Sequence, residues 1–282
     1  MIVIETIKEA KKIIREKKFR GLKIGFVPTM GCLHKGHISL IEKAKSVSDF
    51  VVVSIFVNPT QFGPNEDYEK YPRTFEQDKI ICEVSNVSLI FHPSVSEIYP
   101  ESFSTFVEVG GEISKILCGA KRVGHFKGVS TIVTKLFNII EPDVAIFGQK
   151  DAQQAFIIKK MVNELNFPIE IIVSETVRES DGLAMSSRNN YLSKEERKVA
   201  PLIKQGLDEA ENALKNGMTK AETLKKIVKD KIESSLLFKI DYVEIVDLET
   251  FYPVKEVSQN SLLAVAAFLG ETRLIDNTIL RK

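Results

Sequence analysis

The chain is poor in the residues that build disulfide frameworks and metal centres, with 3 cysteines and 4 histidines in 282 residues. Cys32, Cys82 and Cys118 are odd in number, far apart and set in apolar or mixed surroundings. That excludes a disulfide scaffold and fits free thiols in a reducing cytoplasm. No cysteine pair stands ready to complete a structural zinc site beside His34 and His37, and His92 and His125 lie in unrelated segments. An excess of one charge sign is missing too: 39 Lys+Arg stand against 38 Asp+Glu, a formal net charge of +1. A generic nucleic-acid or membrane binder would carry a basic excess, and a tRNA-charging role is disfavoured on the same ground. No apolar run approaches the roughly 20 residues of a membrane span, and the N-terminus has no apolar signal-peptide core. The expectation is a soluble, cytoplasmic protein. There are no internal repeats and no low-complexity linker. Neither a G-x-x-x-x-G-K-[ST] loop nor a G-x-G-x-x-G fingerprint occurs, so P-loop phosphoryl transfer and a dinucleotide site are unsupported.

What is present is core and alternation. Hydrophobic residues make up 44% and charged residues 27%, enough apolar material for two domains that pack closely. Residues 2–19 read as a short strand or turn followed by an amphipathic helix. Apolar runs predict strands over 23–29, 50–57, 88–92, 143–148 and 169–173, with helices over 35–48, 74–84, 127–140 and 151–165. The nearly unbroken Val51-Val52-Val53-Ser54-Ile55-Phe56-Val57 is what a parallel sheet covered on both faces requires. This alternation predicts a doubly wound α/β domain. A further strand is expected over 105–109. After about residue 176 the pattern changes. Ser193-Lys194-Glu195-Glu196 is a capping-box sequence opening a long charged helix, and a second helix is expected over 220–235. Strands over 240–247, 261–268 and 273–280 then predict a smaller α+β domain with antiparallel strands.

The chemistry concentrates where strands end. Pro28-Thr29-Met30-Gly31-Cys32-Leu33-His34-Lys35-Gly36-His37 carries a strand through a Gly-containing turn into a helix, with two histidines near its first turn. A helix N-terminus favours anions, and imidazoles both donate hydrogen bonds and surrender protons near neutral pH. The bland alternatives are half of a metal site or a solvated helix start. Asn58-Pro59-Thr60-Gln61-Phe62-Gly63 follows the second of these strands, and Phe147-Gly148-Gln149-Lys150-Asp151-Ala152-Gln153-Gln154 follows a later one. In a parallel sheet such loops share the carboxyl edge, where open α/β folds bind ligands, which gathers His34, His37, Gln61, Lys150, Asp151 and Gln154. Met185-Ser186-Ser187-Arg188-Asn189 adds two hydroxyls and a guanidinium suited to a polyphosphate. Singly, each reads as well as a turn or surface residue; together they predict a nucleotide site performing nucleotidyl transfer, with pyrophosphate leaving.

These motifs resemble the pantoate–β-alanine ligase family. The resemblance runs through the opening H-x-G-H segment, Phe56-Val57-Asn58-Pro59 with Gln61-Phe62, and Tyr71-Pro72-Arg73. It continues through Gly124-His125-Phe126 with Gly128-Val129, the Gly148–Gln154 loop, and Asp181-Gly182-Leu183-Ala184-Met185-Ser186-Ser187-Arg188-Asn189. It implies a Rossmann-like nucleotide- and pantoate-binding domain over 1–176 and a smaller domain over 177–282 that covers the active site. It also implies ATP as co-substrate, Mg²⁺, pantoate and β-alanine as substrates, a pantoyl-adenylate intermediate and a homodimer. By motif position, Met30, Gly31, His34 and His37 would line the ATP site, with His37 the proton donor to pyrophosphate and His34 and Lys150 sharing the catalytic charge. Lys150, Met185, Ser186, Ser187 and Arg188 would hold ATP, Gly148 and Asp151 its ribose, and Val177 its adenine. Gln61 and Gln154 would hold pantoate, and Asp78 is the best-matched Mg²⁺ ligand, although Gln77 replaces an acidic neighbour seen in some relatives. The second domain or residues 63–72 are expected to close as a lid over the adenylate. The competing readings are another H-x-G-H adenylyltransferase, and a non-catalytic nucleotide sensor that binds ATP without releasing pyrophosphate.

Overall fold

The computed structural model describes residues 1–64, 66–257 and 260–281. In chain order the first elements are β1 (Ile2–Ile4), α1 (Ile7–Phe19), β2 (Ile24–Thr29), α2 (Lys35–Val47), β3 (Phe50–Ile55), α3 (Phe75–Val84), β4 (Leu89–Phe91), α4 (Val95–Ile98), α5 (Cys118–Lys121) and α6 (His125–Ile140). There follow β5 (Val144–Gly148), α7 (Ala152–Glu164), β6 (Glu170–Ser174), α8 (Lys194–Val199), α9 (Leu202–Lys215), α10 (Ala221–Ile232), β7 (Phe238–Asp247), β8 (Ser261–Leu269) and β9 (Thr272–Leu280). Two compact units result. One comprises Met1–Gly110, Arg122–Gln149 and Gln153–Glu175; the other comprises Gly111–Lys121, Lys150–Ala152 and the chain from Thr176 onward.

The first unit is built on a six-stranded parallel sheet in the order β1-β4-β3-β2-β5-β6. Every residue of β3 is buried, as its continuous apolar run requires when helices cover both faces. Alternate side chains of β2 serve opposite layers. Val27 joins Val53, Ile146, Ile41 and Ala44 of α2, and Cys82 of α3 in one core. Phe26 faces the other way, against Phe137 of α6 with ring centroids 6.4 Å apart, and Phe137 also meets Phe147 and Phe167 edge-on. The strand order runs outward from β2 through β3 to β4, then resumes on the other side of β2 with β5 and β6. β2 and β5 therefore flank the switch point, and the carboxyl-end loops of these two strands diverge there.

In the second unit β7, β8 and β9 form an antiparallel sheet. One face is covered by α9 and α10, which pack Leu207, Leu214, Val228 and Ile232 against Val243, Ile245, Leu263 and Val265. The fold class expected from the sequence is the one observed. Two local expectations are corrected. The long charged helix opened by Ser193 is two helices: α8 starts with the Ser193–Glu196 capping box and ends before Pro201, whose missing N–H interrupts the ladder ahead of α9. Residues 105–109 are not a strand; Val107 instead gives its N–H to Thr131 Oγ1 of α6 at 3.0 Å. Among the described residues no helix is long and apolar enough to cross a membrane.

The aromatic cluster on α6 gives a direct check of this packing. Phe137→Ala is expected to lower unfolding stability by about 3–5 kcal/mol, read from urea denaturation, and a loss under about 1 kcal/mol would show that Phe137 is not the wedge between helix and sheet.

Candidate functional site

The turn between β2 and α2 is made by two consecutive residues of left-handed backbone, Gly31 at φ 81° and Cys32 at φ 51°. Glycine is required at position 31 on space as well as on φ, since a Cβ there would lie 2.9 Å from Asp78 Oδ2 and 3.1 Å from Ile55 Cγ2. The turn is held from below by Asp78 of α3, which is 1% exposed. Its Oδ1 accepts the Leu33 N–H at 2.7 Å, while Oδ2 accepts the Cys32 N–H at 2.9 Å and the Thr74 hydroxyl at 3.3 Å. Asp78, the expected Mg²⁺ ligand, is thus a buried acceptor for two backbone N–H groups and a hydroxyl, with Oδ1 taking a single hydrogen bond. Burial, with the Asp78 charge beside it, pushes the Cys82 thiol up to about 12 and raises Cys32 as well, so neither is a nucleophile at neutral pH.

With the turn fixed, His34 falls at the N-cap of α2 and His37 at its third position. His34 Nδ1 accepts the Gly36 N–H at 3.1 Å, and His37 Nδ1 accepts the His34 N–H at 3.2 Å, a reciprocal capping box made of imidazoles. A ring nitrogen that accepts carries no proton, so each neutral imidazole holds its hydrogen on Nε2. Both Nε2–H groups are thereby set as donors. The rings lie 4.1 Å apart between centroids at the helix's positive end. This pair is a donor site, and among the described residues no group of three or more His, Cys, Asp or Glu is arranged to hold a metal ion.

Gln61 ends a 3-10 turn (Pro59–Gln61) after β3 and is buried. Its Oε1 accepts from Asn58 Nδ2 at 2.9 Å, and its Nε2 lies 3.2 Å from Met30 Sδ. Its backbone carbonyl accepts from His125 Nδ1 at 2.8 Å. α6 comes so close that a Cβ on Gly128 would sit 2.2 Å from the Thr60 carbonyl oxygen, so only glycine lets helix and turn meet. Arg122, which contacts His125 Nε2 at 2.9 Å, also clamps Glu66 through bonds of 2.6 and 2.7 Å. Burial works against the Glu66 charge, but the hydrogen bonds and charge of Arg122 outweigh it and hold the carboxyl below its usual range. The stretch expected to act as a lid is thus tied down at Glu66, and Phe62 packs on Tyr68 and Tyr71 beside it. Gln154, the other expected acid-holding residue, is half-buried on α7 in the same unit.

Met30, Gly31, His34, His37 and Gln61 therefore lie along the carboxyl ends of adjacent strands, and Gly148 closes β5 on the same edge. The remaining expected residues belong to the second unit. Lys150 and Asp151 form a 3.8 Å ion pair, and Asn277 Nδ2 anchors the Lys150 carbonyl at 2.9 Å. Val177 and Met185 face each other across a short hairpin, the Met185 N–H donating to the Val177 carbonyl at 3.0 Å. That hairpin is braced by Arg178 on Asp276 at 2.6 and 3.0 Å, and by Arg197 on Glu179 and Asp181 at 2.6 and 2.5 Å. Directly after it Ser186 caps the 3-10 turn Ser187–Tyr191, its Oγ accepting the Arg188 N–H at 3.2 Å. Asn189 fastens the turn to the hairpin through Glu179 Oε1 and the Ala184 carbonyl.

Asn58, Tyr99, Arg122 and His125 support the Gln61 turn without having drawn a role from the sequence. Asn58-Pro59 reads as a turn signal, and His125 stands in a Gly-His-Phe motif with no partner visible in one dimension. Tyr99 carries no motif at all.

The profile of the family described as pantoate-beta-alanine ligase matches residues 2–279. Pantothenate synthetase of Thermotoga neapolitana is 56% identical over 280 residues, covering 99% of this chain and 100% of that protein. The Acetivibrio thermocellus pantothenate synthetase is 54% identical over 279 residues, 99% of each chain. The crystal structure of pantothenate synthetase from Thermus thermophilus superposes with a TM-score of 0.96 at 41% identity, covering 100% of both chains. The Francisella tularensis pantoate-beta-alanine ligase, crystallised with beta-gamma ATP and beta-alanine, gives 0.81 at 37% identity, covering 99% of this chain and 97% of that one. Likeness that runs end to end in sequence and in fold leaves one conclusion: the chain belongs to the pantoate–β-alanine ligase family and is a ligase.

Proposed function

We propose that this ligase joins pantoate to β-alanine in two steps on one ATP, through pantoyl adenylate. A carboxylate oxygen of pantoate attacks the α-phosphorus, forming the acyl phosphate bond as the bond to pyrophosphate breaks. The β-alanine nitrogen then attacks the activated carbonyl, AMP leaves with the bonding electron pair, and pantothenate forms with loss of the amine proton. The observation that carries the reading is the imidazole capping box, because it fixes two Nε2–H donors at a helix N-terminus where charge on a phosphate would develop. Donors set in advance against developing charge usually supply the largest share of an enzyme's rate. His37 donates its Nε2–H as a hydrogen bond to the departing pyrophosphate, the neutral ring keeping its proton while the bond stabilises the charge that develops there. His34 and Lys150 steady the transferring phosphate.

The other assignments follow from what each group offers. Ser186, Ser187 and Arg188, with Met185 preceding them, supply hydroxyl and guanidinium donors to the polyphosphate. Gly148 and Asp151 take the ribose, and the Val177 backbone takes the adenine edge. Met30 and Gly31 pass close under the phosphates. Gln61 and Gln154 hold pantoate by neutral amides, which suit a hydroxy acid and not the phosphorylated acceptor of the rival adenylyltransferases. Mg²⁺ fits this chain as a companion of the ATP phosphates, with Asp78, which also holds the turn, its best-matched protein carboxylate. A cytoplasmic homodimer completes the proposal, supported by family membership and by three unbridged thiols.

Pantoate-dependent exchange of pyrophosphate into ATP, followed by AMP and pantothenate on adding β-alanine, is the expected behaviour of the purified protein; AMP release with neither acid present would refute it. His37→Ala is expected to slow single-turnover pyrophosphate release by about 10²–10³ with the far-ultraviolet dichroism unchanged, and an unaltered rate would remove His37 from the chemistry. Gln61→Ala should raise the KM for pantoate more than that for ATP, whereas equal losses would count against its role. Asp78→Ala is expected to cost about 2–5 kcal/mol of stability by stranding two buried N–H groups; an undiminished melting temperature would show that Asp78 does not hold the turn.

A further inference from the structure

The Gln61 amide has two chemically opposite ends, and which one faces the substrate decides what the site can bind. Its Oε1 is taken by Asn58 Nδ2, which also donates to the Gly128 carbonyl at 3.2 Å. The orientation of Asn58 itself is held from its other side. Tyr99 Oη donates to Asn58 Oδ1 at 2.8 Å, and Thr60 Oγ1 donates to the same oxygen at 2.9 Å. Turning the Asn58 amide over would place its oxygen against the Gly128 carbonyl and the Gln61 oxygen, two acceptor–acceptor contacts. The Gly128 carbonyl, which can only accept, selects the end of the Asn58 amide. The Tyr99 and Thr60 hydroxyls, able to donate or accept, then hold the amide in that orientation by two bonds to Oδ1.

Tyr99 is well placed to do this. Its ring is held by Phe56 at 6.2 Å and Phe103 at 4.9 Å, with Lys135 Nζ 5.6 Å from its centroid. The hydroxyl therefore arrives at Asn58 from a ring whose position does not depend on the hydrogen bond. Burial raises the phenol above its ordinary value despite the Thr60 hydroxyl, so it remains a protonated donor across the physiological range.

We propose that Tyr99 is a positioning residue which, through Asn58, fixes the Gln61 amide with its NH2 end toward the acid, so that the site presents a donor to an acceptor oxygen of a hydroxy acid. The proposal rests on the reading of Gln61 as a pantoate-holding residue. Tyr99 touches neither substrate nor phosphate, and its effect passes wholly through two amides.

The test is a double-mutant cycle on initial rates with pantoate and ATP varied separately. Tyr99→Phe keeps the ring and its packing and deletes only the hydroxyl. It is expected to raise the KM for pantoate roughly 3- to 10-fold, the size of one lost hydrogen bond, with kcat and the KM for ATP changed less than about twofold. On a Gln61→Ala background the same substitution should add no further loss, since the amide it orients is gone. A pantoate KM unchanged by Tyr99→Phe, where Gln61→Ala raises it, overturns the relay and leaves the Gln61 role standing. Losses that multiply in the double variant also overturn it, because Tyr99 would then act by another route. A pantoate KM untouched by Gln61→Ala overturns the reading of Gln61 and the proposal with it.

Discussion

The site rests on a buried carboxylate, that of Asp78. Between β2 and α2 the chain reverses from a buried strand into a helix through two left-handed residues, one of them the L-residue Cys32. Left-handed backbone at a non-glycine residue costs roughly 1 kcal/mol or more. Asp78 offsets that cost by accepting two successive N–H groups inside the protein, where a hydrogen bond to a charged acceptor is worth more than one to a neutral group. The turn in turn decides where α2 starts, and so makes His34 the cap. Shift the start by one residue and His34 would no longer stand at the cap, nor His37 at the third position that completes the box. In three dimensions Asp78 is the peg on which the histidines hang.

A single device recurs at both ends of the proposed reaction. At the histidines, backbone N–H groups occupy Nδ1 and put the hydrogen of the neutral ring on Nε2. At Gln61, the Asn58 amide occupies Oε1, and the NH2, one hydrogen of which meets Met30 Sδ, is the donor end. In each case an ambidextrous group is made single-handed by filling its acceptor from within. The substrates this suits are rich in acceptor oxygens: phosphates at one place, a hydroxy acid at the other. Because the internal partners are backbone or buried side chains, little reorganisation is needed when charge develops.

The strands and helices of the first unit are legible in the sequence because apolar periodicity is strong there: β3 is buried throughout, and α2 turns Ile41 and Ala44 into the core. Periodicity fails where a segment is extended without a ladder. Residues 105–109 have strand-like composition, yet Val107 finds its partner in the Thr131 side chain. It also runs past Pro201, where one missing N–H divides an otherwise continuous charged stretch. Of the site, the residues on motifs are legible and their supports are not. Asp78 lies 46 residues from Cys32, and Tyr99 lies 41 from Asn58, so nothing in local spacing joins them. The grouping of Gly111–Lys121 and Lys150–Ala152 with the later part of the chain is likewise invisible to a reading that proceeds along it.

The charge pattern at the helix starts gives an independent argument for an external anion. α3 begins with Glu76 and Asp78, and α8 with Glu195 and Glu196, so each answers its own positive dipole end with carboxylates. α2, like α6, α7 and α9, has no acidic residue in its first turn, and it opens on Lys35, a cation placed where the dipole disfavours one. The two histidines satisfy N–H groups of that turn without supplying negative charge. The one carboxylate at this end, Asp78, is engaged by the N–H groups of Cys32 and Leu33 ahead of the helix. The first turn of α2 therefore keeps a positive end with imidazole and ammonium donors, the arrangement a phosphate favours.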